Sequence, residues 1–283
     1  IIAADWQTGL IPNYFHTIYK DDPKLSPIAI VFSIHNISFQ AMFDHHFVSE
    51  MDYDSGRETI PAFNDQRLSK LNFMRRGIMH ADVINTVSST YSHEITTPEY
   101  GEGLHELLSE RQSRLFGILN GIDTNIYNPE TDPNVQFHYN IKTLDLKIKN
   151  KSALQREFNL PVRGDIPLFG IVSRLTDQKG FGLLMDAAEP LLENFDIQLI
   201  VVGSGEGRFM NFFRELAKRY PQKVGVHLNY DEVLSHMVYA GADAIIIPSR
   251  FEPCGLTQME AMRYGTAPIV RKTGGLADSV VDY

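Results

Sequence analysis

Pro167-Leu168-Phe169-Gly170-Ile171-Val172 runs directly into Ser173-Arg174-Leu175-Thr176-Asp177-Gln178-Lys179-Gly180, and a helix-like stretch follows over residues 181–193. A short apolar run, a polar turn and a helix make one βα unit. The same unit recurs on either side. Strand-like runs are expected at 197–202, 224–228, 244–247 and 267–270, with helices over 207–219, 231–240 and 256–264. This alternation predicts a parallel, doubly wound α/β sheet covered on both faces. Right-handed crossovers then collect every loop that follows a strand on one edge of the sheet.

The first half repeats the pattern less completely. Strands are expected over 28–34, 83–87 and 115–119, and helices over 71–81 and 89–96, with Ser88 and Ser89 as candidate N-caps. Ile1-Ile2-Ala3-Ala4-Asp5 reads as the end of a buried strand. His35 falls just past the strand 28–34. Residues 44–70 are polar and aperiodic, as a long loop would be. From Asn120-Gly121-Ile122-Asp123 through Asn128-Pro129 the chemistry is that of turns, and a lysine-rich helical stretch follows over 143–158. The domain junction is placed here, giving domains of 1–140 and 141–283. Two such domains in series would face each other across a cleft.

Bulk properties narrow the function. The 283 residues carry a net charge of −9, which argues against a nucleic-acid partner while leaving room for a locally positive cleft. No apolar run approaches the ~18 residues of a membrane span. The single cysteine, Cys254, rules out an intrachain disulfide. Nothing in the sequence sets an oligomeric state.

Three loops on the predicted sheet edge carry candidate chemistry. In 173–180, Arg174 and Lys179 flank a turn that opens a helix, where cations and helix-terminal N–H groups would neutralise a diphosphate leaving group. Spacing alone leaves this level with two solvated surface cations. In Pro248-Ser249-Arg250-Phe251-Glu252-Pro253-Cys254-Gly255-Leu256-Thr257, Glu252 stands at the edge, and the N–H groups of Gly255, Leu256 and Thr257 would begin an anion nest. Thr273-Gly274-Gly275-Leu276 repeats the design after the next strand. One such loop is an ordinary capped turn; three on one edge indicate a site. Val202-Gly203-Ser204-Gly205-Glu206-Gly207 lacks the spacing of a dinucleotide fingerprint and reads as a turn near a nucleotide.

Arg174 and Lys179, Ser249 to Gln258, Tyr264-Gly265-Thr266 and Arg271 to Leu276 together resemble the glycogen/starch synthases. Asp5-Trp6, residues 34–40, residues 86–95 and Asn120 to Asp123 resemble that family in the same order. The resemblance runs nearly end to end and implies a GT-B-like pair of Rossmann-like domains with the N-terminal one incomplete. It implies retaining transfer of glucose from a nucleotide sugar, ADP-glucose or alternatively UDP-glucose, to the non-reducing end of an α-1,4-glucan, with no metal and no cofactor. Carried over, Arg174 and Lys179 bind the diphosphate, and Gly255, Leu256 and Thr257 donate to the distal phosphate. Glu252 and Cys254 contact the glucose, as do Asp5 and His35 from the other domain. Tyr230 stacks on adenine, and Thr273 and Gly274 complete the donor loops. The location implied is cytoplasmic for a bacterial source and plastidic for a plant one.

The chain departs from the family pattern. A Lys-x-Gly-Gly-Leu-Gly-Asp-type loop and the terminal crossing helices are missing, so the 283 residues alone are expected to bind nucleotide weakly and to turn nothing over. Residues 44–70 match poorly. Blander readings stand beside these. His45-His46 lacks spaced partners for a metal. An isolated cysteine such as Cys254 is usually an inert small hydrophobe. The Phe and Met residues at 209, 210, 212 and 213 read as helix core. The rival functions are a sucrose- or trehalose-phosphate-type synthase, a nucleotide-sugar epimerase and a non-catalytic glucan-binding protein.

Overall fold

The structure, a computed structural model, describes residues 1–40, 54–62 and 64–282. The chain divides into two compact units, Ile1–Asn120 and Gly121–Tyr283. Because residues 41–53 are outside the described residues, His45 and His46 and much of the expected 44–70 loop have no structural account.

In the first unit the elements are β1 (Ile2–Ala4), α1 (Leu10–Thr17), β2 (Val31–Ile34), α2 (Phe73–His80), β3 (Val83–Thr86), α3 (Ser89–Glu94), α4 (His105–Glu110) and β4 (Leu115–Gly117). The strands form one parallel sheet in the order β1-β2-β3-β4. Phe32, Ile34, Met74, Ile78, Ile84 and Tyr91 are fully buried in its core. Ser88 caps α3 by accepting from the Tyr91 N–H at 3.2 Å. Arg76 is fully buried, yet its charge is matched: Asp54 takes two of its N–H groups at 2.8 Å each, and Asn13 and the Glu58 carbonyl take two more. Such a group is tolerated in the interior because a carboxylate faces its charge and four of its five N–H groups find acceptors among the described residues.

The second unit holds α5 (Lys147–Glu157), β5 (Leu168–Val172), α6 (Phe181–Asn194), β6 (Gln198–Val202), α7 (Gly207–Arg219), β7 (Val224–His227), α8 (Glu232–Gly241), β8 (Ala244–Ile247), α9 (Thr257–Arg263), β9 (Ala267–Val270) and α10 (Gly274–Ser279). Its parallel sheet has the order β7-β6-β5-β8-β9. The two-residue period of β6 explains the layers. Leu199 and Val201 point into one core with Phe181, Phe209 and Phe213, whereas Ile200 and Val202 point into another with Leu154 and Val238. Met210 and Phe212 pack at the margin of the first of these cores. Each fully buried phenylalanine contributes roughly 2 kcal/mol of apolar burial.

The expected strands and helices of this half recur within a residue or so at each end. The junction differs. It was expected after residue 140, but the division falls at Asn120/Gly121, because residues 121–140 are anchored in the second unit. Asp132, 1% exposed, accepts from His236 Nδ1 at 2.6 Å and from the Tyr264 hydroxyl at 2.5 Å. Tyr139 donates to the Tyr264 carbonyl at 2.8 Å. Burial pushes the Asp132 carboxyl up, but the hydrogen bonds from Tyr264 and His236 outweigh it and hold it below its ordinary value. A carboxyl with a lowered folded pKa stabilises the fold above its unfolded value of about 3.9, and that stability is lost as pH falls through the folded value. Asp132→Ala is therefore expected to cost about 3 kcal/mol at neutral pH, because it strips a buried cluster of its acceptor. Urea unfolding measures this. A loss under about 0.5 kcal/mol would show that the cluster does not anchor the segment.

Candidate active site

Going from β5 to β6 to β7 the chain moves one way along the second sheet, and from β8 to β9 it moves the other way. The crevice outside the carboxyl ends of β5 and β8 is thus a topological switch point, where ligands of such sheets bind. The loops that leave these two strands lie side by side. Arg250 N–H donates to the Gln178 carbonyl at 2.8 Å. Gly180 has φ +74°, and a Cβ there would fall 1.8 Å from the Pro248 carbonyl oxygen. Only glycine allows both the left-handed backbone and that approach.

This approach brings Lys179 onto Glu252. Lys179 Nζ donates to Glu252 Oε2 at 2.5 Å, and Ser249 Oγ donates to the same oxygen at 2.9 Å. Both side chains are largely buried, at 18% and 7% exposure. They line a cavity of about 200 Å³ together with Ser173, Gly255, Leu256 and Thr257. A buried cation, a carboxylate and the start of a helix therefore converge in one small polar chamber.

A second cavity of about 500 Å³ adjoins it, sharing Val172, Ser173 and Thr257. Arg174 and Tyr230 line it, and Tyr230 is 81% exposed. Gly203 and Ser204 form part of its wall. The Leu175 N–H donates to the Ser204 carbonyl at 2.9 Å, and the Glu206 N–H donates to the Leu175 carbonyl at 2.8 Å, so the loop at 203–206 is zipped against 173–175.

Glu260 and Tyr127 are among the lining residues that sequence alone does not single out. Glu260, buried in α9, accepts from the Tyr239 hydroxyl at 2.8 Å. Burial, reinforced by the Glu260 carboxylate, pushes the Tyr127 phenol up to about 12. The signal for Glu260 was present as an acid on the inward face of a short helix.

The other expected residues take supporting places. Thr273 is buried, and Gly274 opens α10 with φ +45°. The next residue, Gly275, donates its N–H to the Glu252 carbonyl at 3.0 Å, so this loop backs the Glu252 loop and does not line either cavity. Cys254 is buried and likewise lines neither. In the first unit, Asp5 and His35 are brought together: Asp5 Oδ1 accepts from the His35 N–H at 2.7 Å and from that of Asn36 at 3.4 Å. Asp5 itself holds φ +55°, a strained value for a residue other than glycine. The His35 ring is exposed, with Nε2 3.3 Å from Ser33 Oγ.

Comparison with known proteins bears on the whole chain. The family model "Starch synthase catalytic domain" matches residues 1–110, and "Glycosyl transferases group 1" matches 155–283. A glycogen synthase of Thermotoga petrophila is 48% identical over 279 residues, covering 99% of this chain and 57% of that protein. The chain belongs to the glycogen and starch synthase family. Another glycogen synthase, from Desulforamulus reducens, is 43% identical over 283 residues, covering 100% of this chain and 58% of its own length. Among solved structures, the catalytic domain of starch synthase IV from Arabidopsis thaliana, bound to ADP and acarbose, superposes with a TM-score of 0.83 at 38% identity. The match covers 100% of this chain and 58% of that one. Sucrose-phosphate synthase from Thermosynechococcus elongatus shares the fold, with a TM-score of 0.59 at 18% identity, covering 99% of this chain and 58% of that one. The chain thus spans a little over half the length of the glycogen and starch synthases it matches. No helix among the described residues is long and apolar enough to cross a membrane.

Proposed function

We propose that the chain carries the donor-binding half, and part of the acceptor side, of a retaining glycosyltransferase. It transfers glucose from ADP-glucose to the non-reducing end of an α-1,4-glucan such as glycogen, starch or a maltooligosaccharide. The observation that carries this reading is the Lys179–Glu252 pair in its chamber at the β5/β8 switch point. A diphosphate leaving group requires a cation at one end of the reacting bond, and an oxocarbenium-like sugar is favoured by a carboxylate at the other.

In this reading Lys179 neutralises the distal phosphate, and Gly255, Leu256 and Thr257 offer it backbone donors. Arg174 reaches the diphosphate from the wall of the larger cavity, where Tyr230 stacks on the base. Glu252 faces the transferred glucose. On the first unit, His35 contacts the glucose, and Asp5 holds the His35 loop through the backbone bonds described above. Thr273, Gly274 and Cys254 fix the loop that presents Glu252. The proposed chemistry calls on no metal and no cofactor beyond the sugar nucleotide.

The test is direct. The full-length protein is incubated with ADP-glucose or UDP-glucose and short maltooligosaccharides, and the products are sized. Extension by single glucose units is expected, faster with ADP-glucose. Faster extension with UDP-glucose would reverse the donor assignment, and no extension with either would overturn the reading.

A further inference from the structure

We infer that Gln258 is a positioning residue of the proposed phosphate-binding loop: its buried amide turns the Gly255 and Leu256 peptides so that their N–H groups face the donor. This deepens the function proposed above and rests on it.

Gln258 sits in the first turn of α9 and is fully buried. Its Nε2 lies 3.1 Å from the Cys254 carbonyl oxygen, 3.0 Å from that of Gly255 and 2.9 Å from Ser279 Oγ. The amide shares its two N–H groups among these three acceptors and holds two consecutive carbonyls on the buried side of the loop. A trans peptide points its N–H opposite to its C=O, and no cis peptide occurs among the described residues. Drawing the Cys254 carbonyl inwards sends the Gly255 N–H outwards. Drawing the Gly255 carbonyl inwards does the same for Leu256, which is 43% exposed. Both residues line the small cavity with Lys179 and Glu252.

Two further observations tie Gln258 to this task. Gly255 has φ +71°, and a Cβ there would stand 2.5 Å from Gln258 Oε1, so the glycine is what allows the amide to sit beneath the loop. Gln258 Oε1, in contrast, finds no hydrogen-bond partner among the described residues. A buried acceptor left unmatched is unfavourable, so it is the NH₂ side of the amide that explains its presence. The same NH₂ reaches Glu252 indirectly. Ser279, which accepts from it, donates to the Gly275 carbonyl at 2.5 Å, and the Gly275 N–H donates to the Glu252 carbonyl at 3.0 Å. One amide thus ties the orientation of the phosphate donors to the backbone of the carboxylate-bearing segment.

The test separates positioning from mere support of the fold. Binding of ADP and of AMP to the full-length protein is measured by calorimetry for the wild type, Gln258→Met and Gln258→Glu. Methionine keeps the length but donates nothing, and glutamate sets an oxygen against both carbonyls. ADP affinity is expected to fall about tenfold or more in each variant, the scale of one charge-assisted bond. AMP lacks the distal phosphate, and its affinity should change by less than about twofold, well inside the effect of a single lost bond. Equal losses for ADP and AMP would overturn the inference in favour of a purely structural role, as would failure of both variants to fold by circular dichroism. Unchanged ADP affinity in a folded variant would overturn it as well. A wild type that binds no ADP would refute the donor-site reading itself, and that outcome is seen before any variant is made.

Discussion

Lys179→Ala should lower kcat by about 10²–10³-fold while changing the KM for the sugar nucleotide much less. A charged donor aimed at a developing oxyanion is worth about 3 kcal/mol or more in the transition state, where the departing diphosphate gains charge. A second effect acts in the same direction. Glu252 is 5% exposed, and Lys179 at 2.5 Å is the cation that matches it. Removing that cation leaves a buried carboxylate with Ser249 as its remaining side-chain donor among the described residues, which costs stability at the site and loosens the placement of the carboxylate against a cationic sugar. Initial rates of glucose incorporation into glycogen, measured across donor concentration, separate kcat from KM. An unchanged kcat would remove Lys179 from the mechanism.

Glu252→Ala is expected to reduce transfer on the order of 10³-fold or more, with ADP binding retained or strengthened. The second half of this expectation follows from the ion pair. The Lys179 ammonium is shared between a carboxylate and the place proposed for a phosphate, so deleting the carboxylate releases the cation for the nucleotide. The N–H groups proposed for the phosphate lie three to five residues further on, and those of Gly255 and Leu256 keep their own anchor, Gln258. Calorimetry with ADP on wild type and variant tests this. Parallel losses of ADP affinity and activity would make Glu252 a structural residue of its loop.

Both expectations concern residues the sequence marked, and it is clear why it could mark them. Lys179 and Glu252 stand in polar turns bounded by unmistakable apolar strands, and the βα rhythm alone sends those turns to one edge. Gly255 is likewise visible as a glycine of such a turn. What the residues in isolation did not disclose was pairing at a distance. Asp132 meets His236 and Tyr264 across 104 and 132 residues, so the segment 121–140 was assigned to the wrong side of the junction. Arg76 in Phe73–His80 is buried against Asp54 and Asn13, partners that lie 22 and 63 residues away. The helix Leu10–Thr17 was missed because Pro12 and Asn13 are poor helix formers, although Asn13 is held there as an acceptor for Arg76. Glu260 offers in the sequence only the weak signal of an acid on the inward face of a short helix. It becomes a site residue only once Tyr127 and Tyr239 are seen around it.

The strand order also governs when the site can come into being. β5, β6 and β7 can pair in sequence as the chain collapses, each crossover closing a loop of modest length. Lys179 and Glu252 are 73 residues apart, and they meet only after β8 has passed its predecessors and docked on the free edge of β5. That closure is the least local pairing in the sheet, and non-local parallel pairing is the slow, entropically costly part of folding. A nascent or partly unfolded chain can therefore possess three strands, two helices and a sound apolar core while lacking the chamber that Lys179 and Glu252 line. The central placement of β5 makes the acquisition of chemistry a late event in the life of the molecule, and makes its loss an early one when the β5–β8 seam opens.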